Sequence, residues 1–186
     1  MVKRMIFFAL VILFAGCSLF KNNISEGWKS FESGDYQTAK NDFYNAISSG
    51  GELEAYVGYG WSCAKLGDES KALSSFEYVL ASDSMGFPDA VSGAVFAGNA
   101  MKIDSVAARR GEYLLNMLPD YVFEHDSTIT WKQIAFTSAC SFVNCNDFSS
   151  ALDMIRLIEP NFNASFMTES GIDSILTELD EISRWI

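Results

Sequence analysis

The sequence predicts an all-α protein, a solenoid of about four helical hairpins closed by a C-terminal helix. Gly34-Asp35-Tyr36-Gln37-Thr38-Ala39, followed by Phe43 and Ala46, returns 33 residues later as Gly67-Asp68-Glu69-Ser70-Lys71-Ala72, followed by Phe76 and Val79. Gly27 and Trp28 return at the same interval as Gly60 and Trp61. A shared period of this length belongs to a stack of helical hairpins, since one hairpin cannot bury its apolar face alone. The chain also holds only three prolines in 186 residues, so helices are rarely interrupted.

Gly34 ends one helix, because glycine takes the left-handed conformation at a helix C-terminus with little strain. Asp35 then caps the next helix, its carboxylate accepting from an orphan backbone N–H. Ala39, Phe43 and Ala46 fall at i, i+4 and i+7 on one face of that helix. The small residue lets two helices approach, and the large one fills the groove between them. Trp28-x-x-Phe31-x-x-Gly34-Asp35-Tyr36-x-x-Ala39-x-x-x-Phe43-x-x-Ala46 resembles the second half of a tetratricopeptide repeat. Tyr56 through Leu66-Gly67-Asp68, Ala72, Phe76, Val79 and Leu80 resembles nearly a whole one. The usual proline at the end of the second helix is missing near Ser84, and the period is one residue short of the family's ~34. The resemblance implies a right-handed solenoid whose first helices line a concave protein-binding groove.

Met1-Val2-Lys3-Arg4 is a short basic segment, and Met5 to Phe14 is apolar but too short to span a bilayer comfortably. Ala15-Gly16-Cys17 follows, and this arrangement resembles a bacterial lipobox, with Phe14 where leucine is commoner. The resemblance implies that residues 1–16 are a lipoprotein signal peptide and that Cys17 is acylated. Residues 17–25 are expected to form the lipidated Cys and its tether, and residues 26–186 the solenoid domain. Ser18 follows Cys17 where an inner-membrane retention signal would have Asp, which favours the outer membrane. The alternatives are an ordinary signal peptide or an N-terminal anchor.

The hairpins follow in order. The first runs from about Ile24 to Ile47, and Ser48-Ser49-Gly50-Gly51 makes the turn. The second covers roughly Glu52 to Ala81, with Asp68 as internal cap. After a loop over residues 82–88, Pro88 opens a helix of small residues (Ala90, Ala94, Ala97 and Ala100). Asp104 is expected to cap its partner, which carries Val106, Ala107, Leu114 and Leu115. Tyr121 to Asp126 is read as a connector. Thr128 or Trp131 begins the fourth hairpin, where Asn146-Asp147-Phe148-Ser149-Ser150-Ala151 echoes the repeated turn. Phe162, Phe166 and Met167 are expected to tuck inward from a loop. Ile172, Ile175, Leu176, Leu179, Ile182 and Trp185 then mark an amphipathic helix that caps the stack, the alternative being a detachable helix that docks on a partner.

Trp28, Trp61 and Phe96 fall at equivalent places on successive first helices, with Phe31, Lys65 and Asn99 nearby. This aromatic stripe could clamp an extended peptide or a helix; the alternative is packing between neighbouring helices with only an edge exposed. Val57 and Ser92 stand where a carboxylate-gripping Lys would be expected, so a C-terminal carboxylate is not the expected ligand.

The remaining signals argue against chemistry. The formal charge of −11 becomes −13 once Lys3 and Arg4 leave with the signal peptide, which disfavours nucleic-acid partners. Cys63, Cys140 and Cys145 are too few and too scattered for a metal site, and a Cys140–Cys145 bridge stays possible only if a helix ends near Val143. His125, the only histidine, reads as an exposed loop residue. Gly58-x-Gly60 lies within a helix and not after a strand, so it is no phosphate loop. The expectation is therefore a non-enzymatic, cofactor-free adaptor of the bacterial cell envelope. It would be anchored to a membrane through Cys17 and would bind an envelope protein or peptide. A structural subunit of a stable assembly, with its groove permanently filled, and a cell-wall hydrolase are the alternatives.

Overall fold

The computed structural model describes residues 23–83 and 87–186. They form nine helices: α1 (23–32), α2 (Tyr36–Ser48), α3 (Leu53–Lys65), α4 (Glu69–Ser82), α5 (Pro88–Ala100), α6 (Asp104–Met117), α7 (Trp131–Asn144), α8 (Phe148–Ile158) and α9 (Glu169–Ser183). The first eight pair into four hairpins, and from α2 onward consecutive helices pack about as closely between hairpins as within them. α9 closes the far end against α7 and α8, burying Ile175, Leu179 and Ile182. Residues 23–25, assigned to the tether by sequence, are already helical, and Ile24 belongs to the core. Cys17 and residues 1–16, expected from the sequence to be a signal peptide, lie outside the described residues.

The hairpin turns share one device. Gly34, Gly67, Lys102 and Asn146 take positive φ, at 83°, 78°, 61° and 60°. After three of them an Asp carboxylate caps the next helix: Thr38 N–H donates to Asp35 at 3.1 Å, Lys71 N–H to Asp68 at 3.3 Å and Ser150 N–H to Asp147 at 3.1 Å. The third turn differs from expectation. Ile103 occupies the cap position and offers no side-chain bond. Asp104 sits one residue further in, where its carboxylate accepts from Asn144 Nδ2 on α7 at 3.0 Å. The cap has become a tie between hairpins.

Two phenylalanines key the first three hairpins together. The fully buried Phe43 ring lies between α1 and α3 where a Cβ built at Gly27 would come within 2.8 Å and one at Gly58 within 2.3 Å. Phe76 repeats the arrangement between α3 and α5, with a Cβ at Gly60 coming within 2.7 Å and one at Gly93 within 2.2 Å. Glycine is required at these mid-helix sites because the facing ring occupies the space of a side chain. This explains Gly58-x-Gly60 inside a helix. In α6, Gly111 replaces the key residue, and α7 comes so close that a Cβ there would meet Ser138 Oγ at 1.7 Å.

At the C-terminal end, only Phe162 tucks inward as expected. Phe166 and Met167 are 39% and 83% exposed, so their expected burial is corrected. Trp185 lies beyond α9 and faces Lys132, whose ammonium is 5.4 Å from its ring. Cys63, Cys140 and Cys145 are free thiols. Burial raises Cys63 and pushes Cys140 to about 11, which keeps both thiols protonated and unreactive at neutral pH.

Candidate functional site

The first helices of the first three hairpins, α1, α3 and α5, form one face of the solenoid. Trp28, Trp61 and Phe96 follow each other across it, and the two indoles make a repeated clasp. Trp28 Nε1 donates to Glu54 Oε1 at 2.9 Å, at the start of α3. Trp61 Nε1 donates to the Asp89 carbonyl at 3.0 Å, at the start of α5. Each indole therefore reaches the N-terminal turn of the next first helix, satisfying its own N–H while its rings fill the space between helices.

This face is occupied by the chain itself. The segment between α6 and α7, residues 118–130, folds back across it as a small hairpin closed by an isolated bridge between Val122 and Thr130. Phe123 N–H donates to Ile129 O at 2.9 Å, and Trp131 N–H to Tyr121 O at 2.7 Å. Thr130 then caps α7, and its own N–H donates to Gln133 Oε1 at 2.9 Å. Extended backbone sends alternate side chains to opposite sides. Tyr121, Phe123 and His125 turn inward while Val122 and Glu124 face solvent.

The inward side chains take distinct seats. Tyr121 Oη donates to Asp89 Oδ1 at 2.8 Å and pairs with Ser92 Oγ at 2.7 Å, all on α5. Phe123 is fully buried and stacks on Trp61 with centroids 4.5 Å apart, edge-on to Trp28 and Phe31 at 6.1 and 6.0 Å. His125 lies flat on Trp28, centroids 3.6 Å apart and planes 5° from parallel, with Nδ1 2.8 Å from Glu32 Oε1. Asp126 Oδ2 accepts from Lys65 Nζ at 2.6 Å. The expectation of an exposed loop histidine is thus corrected: an aromatic seat on α1 and a carboxylate hold the ring at 18% side-chain exposure.

Five of the six residues singled out by sequence meet here. Trp28, Phe31 and Trp61 line the seat of Phe123, Lys65 holds Asp126, and Phe96 flanks Trp61 at 6.0 Å. Asn99 goes elsewhere: its Nδ2 donates to Ser141 Oγ at 2.9 Å and ties α5 to α7. The sequence reading missed Tyr121, Phe123, His125 and Asp126. Their signal was present as an alternation of large residues within a supposed surface connector.

The electrostatics of the two ends differ. Burial raises the Asp89 carboxyl above its ordinary value, against the lowering effect of the Tyr121 hydroxyl and nearby His125. Burial first, and then the Asp89 charge, hold the Tyr121 hydroxyl protonated far above the usual phenol range. Asp126 goes the other way. Its burial would raise it, but Lys65 and the Thr128 hydroxyl and amide outweigh that and hold it below its ordinary value. Beyond His125 a cavity of about 590 Å³ opens between Ile24, Trp28, Lys29, Glu32 and Glu54. Among the described residues no cluster of three or more His, Cys, Asp or Glu could hold a metal ion, and no helix is long and apolar enough to cross a membrane.

Hairpins with left-handed turns, glycine-seated phenylalanines and a shared inner face define a tetratricopeptide-type solenoid. Solved structures show the same fold. MamA AMB-1 superposes with a TM-score of 0.67 at 10% identity, over 89% of this chain and 91% of that one. A tetratricopeptide protein of Thermus thermophilus gives 0.59 at 14% identity, over 88% and 80%. YrrB, described as a TPR protein with an unusual peptide-binding site, gives 0.58 at 15% identity, over 73% and 66%. No protein-family model and no curated protein matches the sequence. At these identities the likeness is one of fold.

Proposed function

We propose that the chain is a lipid-anchored interaction scaffold of the bacterial cell envelope. It takes an envelope protein or peptide on the face of α1, α3 and α5. The observation that carries the reading is the aromatic face itself: Trp28, Phe31 and Trp61 already seat an extended segment through its Phe123 ring, stacked on Trp61 and edge-on to Trp28 and Phe31. A fold of this type makes such faces from repeated first helices. The anchor rests on the lipobox-like Ala15-Gly16-Cys17. Each acyl chain would add about 0.8 kcal/mol of membrane affinity per buried methylene. The outer membrane is favoured because Ser18, and not Asp, follows Cys17.

The test has two arms, both in the native host. Cys17→Ala should move the protein out of the membrane fraction and abolish its labelling by radioactive palmitate. A photoreactive residue at Glu32, on the groove rim, should give a specific adduct, whereas one at Asp153 on the outer side of α8 should not. Adducts at Asp153 alone would favour a structural subunit that uses its outer surface.

A further inference from the structure

We infer that the 118–130 connector is a resident self-ligand of the groove. The partner that replaces it is an extended peptide segment carrying aromatic side chains two residues apart, followed by a carboxylate. This rests on reading the α1–α3–α5 face as the binding surface, and it specifies what that surface selects.

The connector holds the groove in the manner of a bound peptide. Past Leu118, whose N–H ends α6 on Leu114 O, its backbone bonds run within itself or to the start of α7: Phe123 N–H to Ile129 O, Asp126 N–H to Phe123 O, Ile129 N–H to Asp126 O and Trp131 N–H to Tyr121 O. Side chains make the attachment to α1, α3 and α5. Tyr121 takes the polar seat of Asp89 and Ser92, Phe123 the Trp61 face, His125 the Trp28 face and Asp126 the Lys65 ammonium. An incoming segment with the same side chains can exchange with residues 121–126 without breaking a hydrogen bond inside a helix.

The seats also set the chemistry of the newcomer. Two indole faces accept flat rings at alternate positions of an extended chain, which stands its side chains out every second residue. Lys65 is only 28% exposed at its side chain, and it selects a carboxylate at the end of the aromatic run. Glu32 and Glu54 border the Trp28 seat, so the residue over Trp28 must offer a donor to a carboxylate, as His125 Nδ1 faces Glu32 Oε1 at 2.8 Å. Covalent attachment gives the connector an effective concentration in the mM range. A free segment of the same sequence therefore competes poorly until the connector is loosened.

The direct experiment uses the full-length protein in detergent and a fluorescent peptide with the sequence of residues 119–128. The Phe123→Ala/His125→Ala double variant should bind it at least tenfold more tightly than the native chain, and a scrambled peptide should bind neither. Equal binding to both proteins, or binding to neither with the variant's helical circular dichroism intact, overturns the inference. Should the variant not fold, hydrogen exchange on the native chain decides. The Phe123, Ile129 and Trp131 amides should exchange at least tenfold faster than interior amides of α3, because the connector opens without the stack. Exchange of these amides in step with α3 would overturn the inference. Peptide binding without a Glu32 adduct in the host would leave the groove's selectivity standing and remove the proposed role.

Discussion

Phe43 and Phe123 are both fully buried rings, yet they are buried by different means. Phe43 is wedged between glycines of two adjacent helices, α1 and α3. Removing it would undo the joint between two hairpins. Phe123 is carried on a short extended loop and covers a face that the helices have already made. Its neighbours on that loop reach partners 32, 61 and 93 residues away in sequence. The stack is thus held mainly by contacts between consecutive elements, and the connector lies over the face they make. A region held by few side chains and local backbone bonds is the kind that opens below the global unfolding free energy.

That contrast can be broken at several points. Phe43→Ala should cost the most, about 3–5 kcal/mol, through the cavity left between α1 and α3. Thermal unfolding followed by circular dichroism should show a large drop in melting temperature. Phe123→Ala should cost roughly 2 kcal/mol, because only the docking of the connector can be lost. The helical signal at 25 °C should persist while tryptophan emission shifts to the red as Trp28 and Trp61 meet water. Equal destabilisation by the two substitutions would contradict the separation of stack and connector.

Smaller effects sharpen the picture at the connector's two ends. Tyr121→Phe removes a donor from the buried Asp89 carboxylate and should cost about 1–2 kcal/mol at pH 7. Asp89 has a raised pKa, so its favourable contribution is complete below the ordinary carboxylate value of about 3.9 and is lost as pH rises through the raised value. Asp89→Asn should therefore be at least as stable as the native chain at pH 7, with the advantage disappearing as pH falls toward about 4. Asp126 has a depressed pKa, so its contribution is present above about 3.9 and is lost as pH falls through the lowered value. Lys65→Met should cost under about 1 kcal/mol at pH 7, the range of a partly exposed ion pair, and nothing once Asp126 is protonated. Denaturant titrations at pH 3, 5 and 7 read both signs in one series.

The difference between the two regions also explains what could be read from the sequence. The hairpins were legible because each turn pairs a left-handed residue with a capping Asp, and because Phe43 and Phe76 recur with Gly27 and Gly60 at one interval. The third turn was not, since Lys102 takes the left-handed conformation without glycine and Ile103 leaves Asp104 past the cap. The aromatic stripe of Trp28, Trp61 and Phe96 was legible by the same repetition. Its occupant was not, because Tyr121, Phe123 and His125 alternate over too few residues to mark a strand. Nothing local points from His125 to Trp28. The equivalence that placed Asn99 in the groove failed for a related reason: the hydrogen bond to Ser141 on α7 belongs to a pairing the repeat does not encode.

The central claim is that the chain fills its own groove, and nuclear Overhauser effects between side chains test it most directly. The account predicts cross-peaks from the Phe123 ring to the Trp61 indole and from the His125 ring to the Trp28 indole, at the 4.5 and 3.6 Å centroid separations of the structure. Absence of both, with random-coil shifts over residues 121–130 and a folded helical stack, would contradict it.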